Sequence, residues 1–153
     1  MDYESEYSEE NKLKYLNYIA RVMKRLYNDH KKYVRLRVII IYTADVKRGS
    51  TDPVMDLGCG SIRIEEAFLS DFDPEKLWGE LKSSVESGVY ADPVLMKLMI
   101  YPLTLIEKEE KIRAVAEAID LAEKIDDRKR QVFALTGIYV FQISSFRTRM
   151  RNG

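Results

Sequence analysis

The fold is decided by Val34-Arg35-Leu36-Arg37-Val38-Ile39-Ile40-Ile41-Tyr42-Thr43-Ala44-Asp45-Val46. Its first residues alternate between apolar and basic side chains, whereas residues 38–41 are apolar without interruption. Alternation is typical of a strand with one wet face, and an unbroken apolar run is typical of a strand that is buried on both faces. We therefore predict a strand over residues 34–46 that lies near the middle of a sheet and is covered by helices.

An amphipathic helix is predicted before this strand, from about Ser8 to Lys31. Ser8 is a good N-cap residue, and Asn28-Asp29-His30 is a plausible end. Between these two signals, the apolar residues that recur at helical spacing are expected to face the core: Leu13, Leu16, Ile19, Met23 and Leu26, with Tyr15, Tyr18, Val22 and Tyr27 widening the stripe.

The segment Asp56-Leu57-Gly58-Cys59-Gly60 is similar to the cofactor loop of S-adenosylmethionine-dependent methyltransferases. In that loop a long buried strand precedes the glycines and a helix follows them. Here only Val54-Met55 precede the segment, and residues 61–65 alternate between polar and apolar side chains as a strand does. We interpret the segment as a glycine turn between two strands, the second of which contains Ile62 and Ile64, and we expect Cys59 to pack inside.

Four helices are predicted after Phe72. The first two begin with Asp-Pro, because proline favours the first helical position, and they end at a glycine and at a proline. In order, the four helices cover residues 73–88, residues 92–102, residues 108–125, and the segment from Asp126-Asp127 to about Phe146. Residues 132–143 are rich in β-branched and aromatic side chains, so a strand is the alternative there.

The order of elements indicates an α+β protein or a truncated α/β one. We expect a small two- or three-stranded sheet packed by the N-terminal helix and followed by a C-terminal helical half. The 153 residues are expected to form a single domain, with a sheet-containing part over residues 1–72 and a helical part over residues 73–153. Because so small a sheet is marginal alone, either the first residues add an edge strand, or an upstream element is missing, or a second chain supplies it.

Composition excludes several kinds of site. Lys and Arg total 25, as do Asp and Glu, so the net charge predicts neither a nucleic-acid nor a membrane partner. The single cysteine excludes an internal disulfide and fits a cytoplasmic protein. With one cysteine and one histidine, His30, we expect no metal site, and we expect no cofactor.

The charges are nevertheless unevenly distributed along the chain. The first ten residues are acidic, whereas the last residues carry Arg147, Arg149 and Arg151. These three arginines are candidates for contacts with nucleic-acid phosphates. The alternative is a solvated tail that stabilises a helix end.

Four segments together resemble the Rpn (YhgA-like) family of recombination-promoting nucleases and transposases. The similarity covers most of the chain between residues 11 and 146. The matching segments belong to the framework of the fold and do not contain the family's catalytic residues. The segments are Val38-Ile39-Ile40-Ile41-Tyr42-Thr43-Ala44-Asp45, Ala67-Phe68-Leu69-Ser70-Asp71-Phe72, Leu95-Met96-Lys97-Leu98-Met99-Ile100-Tyr101-Pro102-Leu103 and Ala118-Ile119-Asp120-Leu121-Ala122-Glu123-Lys124-Ile125.

The resemblance implies a PD-(D/E)XK nuclease core, in which acidic side chains bind Mg²⁺ and the metal activates a water against a phosphodiester. The family's metal-binding residues come just before the first matched helix, where this chain has Asp2-Tyr3-Glu4-Ser5. Asp2 would correspond to the metal-binding acid and Glu4 to a lysine or glutamine, which makes both residues candidate catalytic positions. The alternative is that they belong to a frayed acidic terminus.

Two departures from the family pattern imply a catalytically incomplete site. The upstream strand with its metal-binding aspartate is missing, because the chain begins at Met1. Glu4 also adds negative charge where the family has a cation or a neutral amide, which raises repulsion. Mg²⁺ is therefore expected only if the site is completed.

Three functions remain as hypotheses. The first is a shortened, catalytically inactive relative of a PD-(D/E)XK DNA nuclease that forms a homo-oligomer, with DNA as a partner by family resemblance only. The second is a protein–protein interaction module that dimerises and has no nucleic-acid chemistry. An S-adenosylmethionine-dependent methyltransferase is the third and is disfavoured.

Overall fold

The computed structural model describes the backbone of residues 3–4 and 7–151 and the side chains of residues 7–141. The chain is an α+β protein, as predicted. Its elements in order are β1 (Tyr3–Glu4), α1 (Glu9–His30), β2 (Ile39–Tyr42), β3 (Val54–Asp56), β4 (Ser61–Arg63), β5 (Glu65–Phe68), α2 (Pro74–Glu86), α3 (Asp92–Ile100), α4 (Lys108–Glu123) and α5 (Arg128–Arg151). Two short 3-10 helices cover Leu69–Asp71 and Tyr101–Thr104.

The main sheet has three parallel strands in the order β1-β2-β5. Strand β1 pairs with the middle strand in a register that places Tyr3 opposite Ile41 and Glu4 opposite Tyr42. Of the three explanations for the small sheet, an extra edge strand from the first residues is therefore confirmed. Helix α1 supplies the long crossover that two parallel neighbours require.

The predicted central strand is shorter than expected, since β2 covers only Ile39–Tyr42 of residues 34–46. Beyond Tyr42 the backbone leaves the sheet, because the N–H of Ala44 donates to the carbonyl of Leu103 at 3.0 Å. The expectation of burial on both faces is also wrong: Ile40 is 3% exposed, but Ile39 is 48% exposed. A strand is only as long and as buried as its neighbours make it.

The glycine segment forms a hairpin turn, which confirms the predicted connector between two strands. Strands β3 and β4 are antiparallel, and the N–H of Leu57 donates to the carbonyl of Gly60 at 2.8 Å. Gly58 adopts a φ of +74°, a conformation that glycine reaches without steric cost. The expectation that Cys59 packs inside is wrong, because the residue is exposed at the tip of the hairpin.

The helical half begins where the sequence predicts. Asp73 caps α2 by accepting from the N–H groups of Glu75 and Lys76 at 3.0 and 3.1 Å. Asp127 likewise accepts from the N–H groups of two residues in the first turn of α5. Residues 132–143 are helical within α5, so the alternative of a strand there is wrong.

Two apolar clusters form the interior. One cluster, which we call the sheet core, contains Tyr15, Ile40, Tyr42, Val46, Met55, Ile64 and Phe68. The other lies among α2, α3, α4 and α5 and includes Leu81, Leu98, Met99, Ala118 and Ile138.

Within the described part of the chain, no helix has both the length and the apolar character needed to cross a membrane.

Candidate interaction surface

Helix α1 is long but poorly covered. Its start is fixed by Ser8, whose hydroxyl accepts from the N–H of Glu10 at 3.2 Å, and its end by Lys31 in the left-handed conformation, φ 53°. Of its 22 residues only Tyr15 is buried. A helix of this length spans about 33 Å, whereas four-residue strands such as β2 and β5 span only about 13 Å, so most of α1 extends beyond the sheet.

The first two turns of α1 anchor it to the rest of the protein. The ammonium of Lys12 donates to the Asp52 carboxylate at 2.8 Å and to the carbonyl of Val54 at 3.2 Å. The hydrogen bond to Asp52 raises the pKa of Lys12, and in return Lys12 lowers the pKa of Asp52. Together with Tyr15 in the sheet core, these contacts orient the remaining turns of the helix.

An apolar stripe on α1 is left largely open to solvent. Leu13 is 69% exposed and Tyr27 is 55% exposed, Ala20 is exposed, and Leu16 and Met23 are half-buried. We call these five residues the seam. They are spaced alternately by three and four residues, which is the heptad pattern of helices that pair with another helix.

The predicted core-facing stripe of α1 is partly wrong, because some of its residues belong to the exposed seam. Leu13 was expected to face the core and instead points to solvent. The face toward the sheet core carries Tyr15 and the half-buried Ile19. The sequence distinguishes poorly between these faces, because apolar residues surround much of the helix.

A groove continues the apolar surface beside the helix. It has a volume of about 280 Å³ and lies between α1 and residues 36–40. Tyr18 and Val22 on the helix and Ile39 on the strand are each about half exposed along it. Contiguous apolar surface of this kind marks interaction sites on proteins.

The two ends of α1 carry opposite charges. Its first turn holds Glu9 and Glu10, which suits the positive end of the helix dipole. Its second half and the following segment are basic and contain one acid, Asp29. The basic residues are Arg21, Lys24, Arg25, Lys31, Lys32, Arg35 and Arg37. Sequence reasoning missed both this polarity and the seam, although the heptad spacing and the basic run were visible in the residues.

The predicted site residues fall mostly outside what the structure describes. Asp2 lies outside the described residues, and so do the side chains of Glu4, Arg147, Arg149 and Arg151. The backbone of Glu4 belongs to the edge strand β1, and the three arginines belong to the last turns of α5. Among the residues with described side chains, no group of three His, Cys, Asp or Glu is arranged to hold a metal ion.

Two other features of the described surface are candidates for binding. Trp78 and Tyr101 stack with ring centroids 4.8 Å apart in a groove of about 390 Å³ whose rim includes Glu75, Glu110 and Arg113. Burial raises the pKa of Tyr101. Helix α5 also exposes apolar side chains, namely Val132, Phe133, Tyr139 and Val140.

Comparison of the chain with protein-family models, with curated proteins and with solved structures gave no match. The seam of α1 and the adjoining groove form an exposed apolar surface that runs along one helix.

Proposed function

We propose that this protein functions through self-association, as an interaction module in which α1 pairs with a second copy of the chain. The observation that carries the proposal is the exposed seam, where Leu13 and Tyr27, the two most exposed of the large apolar side chains on α1, lie on one stripe. A chain of this size rarely leaves such a stripe uncovered, because solvating it costs free energy that pairing recovers.

The magnitudes are consistent with a reversible dimer. Full burial of a large apolar side chain contributes about 1.5–3 kcal/mol, so Leu13 and Tyr27 from two copies, which are already partly covered, contribute at most about 6–12 kcal/mol. Association costs about 4–15 kcal/mol, and the half-buried Leu16 and Met23 add to the gain. The largest gain against the smallest cost leaves about 8 kcal/mol, so a dissociation constant on the order of micromolar is the tightest that these contacts support.

Light scattering of the full chain, measured over concentrations from about 1 to 100 μM, tests this proposal. Ala20→Glu should shift the protein to a monomer, because Ala20 is exposed near the middle of the seam and a charge there cannot be buried without a partner. Tyr139→Glu is the matched control, since Tyr139 is 67% exposed on α5 and lies outside the seam. A monomeric wild type, or a dimer lost only in the Tyr139→Glu variant, would contradict the proposal.

We also propose that this protein is related by descent to PD-(D/E)XK nucleases. This second proposal concerns its evolutionary origin and does not assign it nuclease activity. It is supported by the β1–α1–β2 unit, in which the strand carrying Glu4 pairs directly with the strand that carries the family-like segment. The described side chains do not offer a carboxylate cluster for Mg²⁺, so no catalytic step is derived through the metal. We propose a catalytically incomplete relative, because Glu4 adds negative charge at the position where the family has a lysine or a glutamine.

A DNA-cleavage assay with Mg²⁺ separates the two proposals. Cleavage that is lost in the Asp2→Ala variant would establish an enzyme, whereas inert protein with a measurable dimer supports the interaction module. DNA as a partner rests on the family resemblance and on the basic second half of α1. Titration with S-adenosylmethionine tests the third hypothesis, which the hairpin does not favour because a strand, not a helix, follows the glycines.

A further inference from the structure

The seam has a spacing that specifies how two copies would pair. In heptad terms Leu13, Ala20 and Tyr27 occupy the first core position, and Leu16 and Met23 occupy the second. When two such helices run antiparallel, first-position residues pack opposite second-position residues. One register then places Leu16 opposite Tyr27 of the second copy and Ala20 opposite Met23 of the second copy.

This register pairs residues of complementary size at the centre of the interface. Ala20 is small and exposed, so it lets the helices approach closely where the longer Met23 of the other copy can fill the space. A two-fold axis between residues 21 and 22 relates the two halves. Each contact therefore occurs twice, as an isologous interface requires.

The charges beside the seam favour the same orientation. Glu10 lies next to the seam in the first turn, and Lys31 lies on the same side immediately after the last turn. In the antiparallel register Glu10 of each copy faces Lys31 of the other. A parallel pair would instead place the acidic first turns of both copies at one end and the basic last turns at the other, which is repulsive, and would align the helix dipoles unfavourably.

We infer that α1 forms an antiparallel two-helix interface with a second copy of this chain, with Ala20 against Met23 at its centre and Glu10 against Lys31 at its ends. The inference rests on the proposed function, since it specifies the geometry of that self-association. The flanking positions of paired helices set orientation through such charge pairs.

A charge-swap experiment on the full-length chain tests this orientation. Glu10→Lys should raise the dimer dissociation constant about tenfold, because two attractive end contacts become repulsive, and Lys31→Glu should do the same. The double variant Glu10→Lys/Lys31→Glu should return to within about threefold of wild type. Circular dichroism of each variant checks that α1 is still helical.

The control pairs Glu10→Lys with Arg25→Glu, a charge reversal on the same helix at a position that is 85% exposed and lies on the side opposite the seam. This double variant should remain as weak a dimer as Glu10→Lys alone. If wild type dimerises but the Glu10→Lys/Lys31→Glu variant is not rescued, the antiparallel arrangement is wrong and self-association stands. If wild type stays monomeric at about 100 μM, both the arrangement and the proposed function fail.

Discussion

Lys111 in α4 forms an ion pair with Asp45, with 2.6 Å between Nζ and Oδ2. The two side chains are only 15% and 16% exposed, and Thr43 donates its hydroxyl to the same carboxylate oxygen at 2.9 Å. Asp45 follows the central strand, whereas Lys111 belongs to the helical half. Together with the bond from Ala44 to Leu103, this pair joins the two apolar clusters and so holds the sheet that positions α1.

Loss of this ion pair should destabilise the protein. Lys111→Met leaves the Asp45 carboxylate partly buried with one charge partner fewer, and we expect the free energy of unfolding to fall by about 1–3 kcal/mol. Urea unfolding at neutral pH measures the change. Lys108→Met, on the exposed side of the same helix, should cost less than about 0.5 kcal/mol.

A double-mutant cycle completes that test. Asp45→Asn combined with Lys111→Met should cost less than the sum of the single variants, because the second change removes a group that the first has already left unpaired. Additive losses, or equal losses in Lys111→Met and Lys108→Met, would mean that the pair does not stabilise the junction.

The hairpin turn should require glycine at only one of its two glycine positions. Gly58 has a φ of +74°, and an added Cβ would meet no atom within 4 Å, so the cost of Gly58→Ala is purely conformational. We expect a loss of about 1 kcal/mol in the free energy of unfolding. Gly60→Ala is the control, because Gly60 has no such φ and equally open surroundings. Equal effects of the two variants would contradict this account of the turn.

Acid should weaken the anchoring of α1. Lys12 lowers the pKa of Asp52 in the folded protein. A folded-state pKa below the unfolded value contributes stability at pH values above the unfolded pKa, and this stability is lost as the pH falls through the folded pKa. The free energy of unfolding should therefore decrease below about pH 5, and the decrease should be shallower in Asp52→Asn.

The matching variant Lys12→Met checks the cause of that pH dependence. It removes the ammonium that lowers the pKa of Asp52 most, whereas the N–H of Val54, which also lowers this pKa, remains. Its pH profile should therefore lie between those of wild type and Asp52→Asn, and the double variant should cost less than the sum of the single variants. Urea unfolding at pH 7 and at pH 3 provides the comparison. A profile for Asp52→Asn that is indistinguishable from wild type would show that this contact does not contribute.

Helix positions could be predicted from the sequence because their signals are local. Ser8, Asp73 and Asp127 each cap a helix through bonds within three residues, and these bonds do not depend on the rest of the fold. The strands were predicted less well. Strand β2 is cut to four residues by the length of its partners, and β5 begins with Glu65 and Glu66, which carry no apolar alternation to reveal it.

The exposed seam of α1 could not be predicted, because exposure depends on the rest of the fold. The apolar residues of α1 were recognised, but which of them would be covered depended on how far the sheet extends beneath the helix. The predicted acidic pair and the three C-terminal arginines were chosen from family resemblance and charge, and they stay predictions because their side chains are not described.

Sedimentation equilibrium of the wild-type chain tests the central claim of self-association most directly. The monomer mass is 17.9 kDa. At about 100 μM we expect a mass close to twice that value, falling toward the monomer mass on dilution with a dissociation constant on the order of micromolar. The Ala20→Glu variant should give the monomer mass at every concentration. A wild-type mass of 17.9 kDa throughout the same range would contradict the claim that the exposed seam of α1 is an interface.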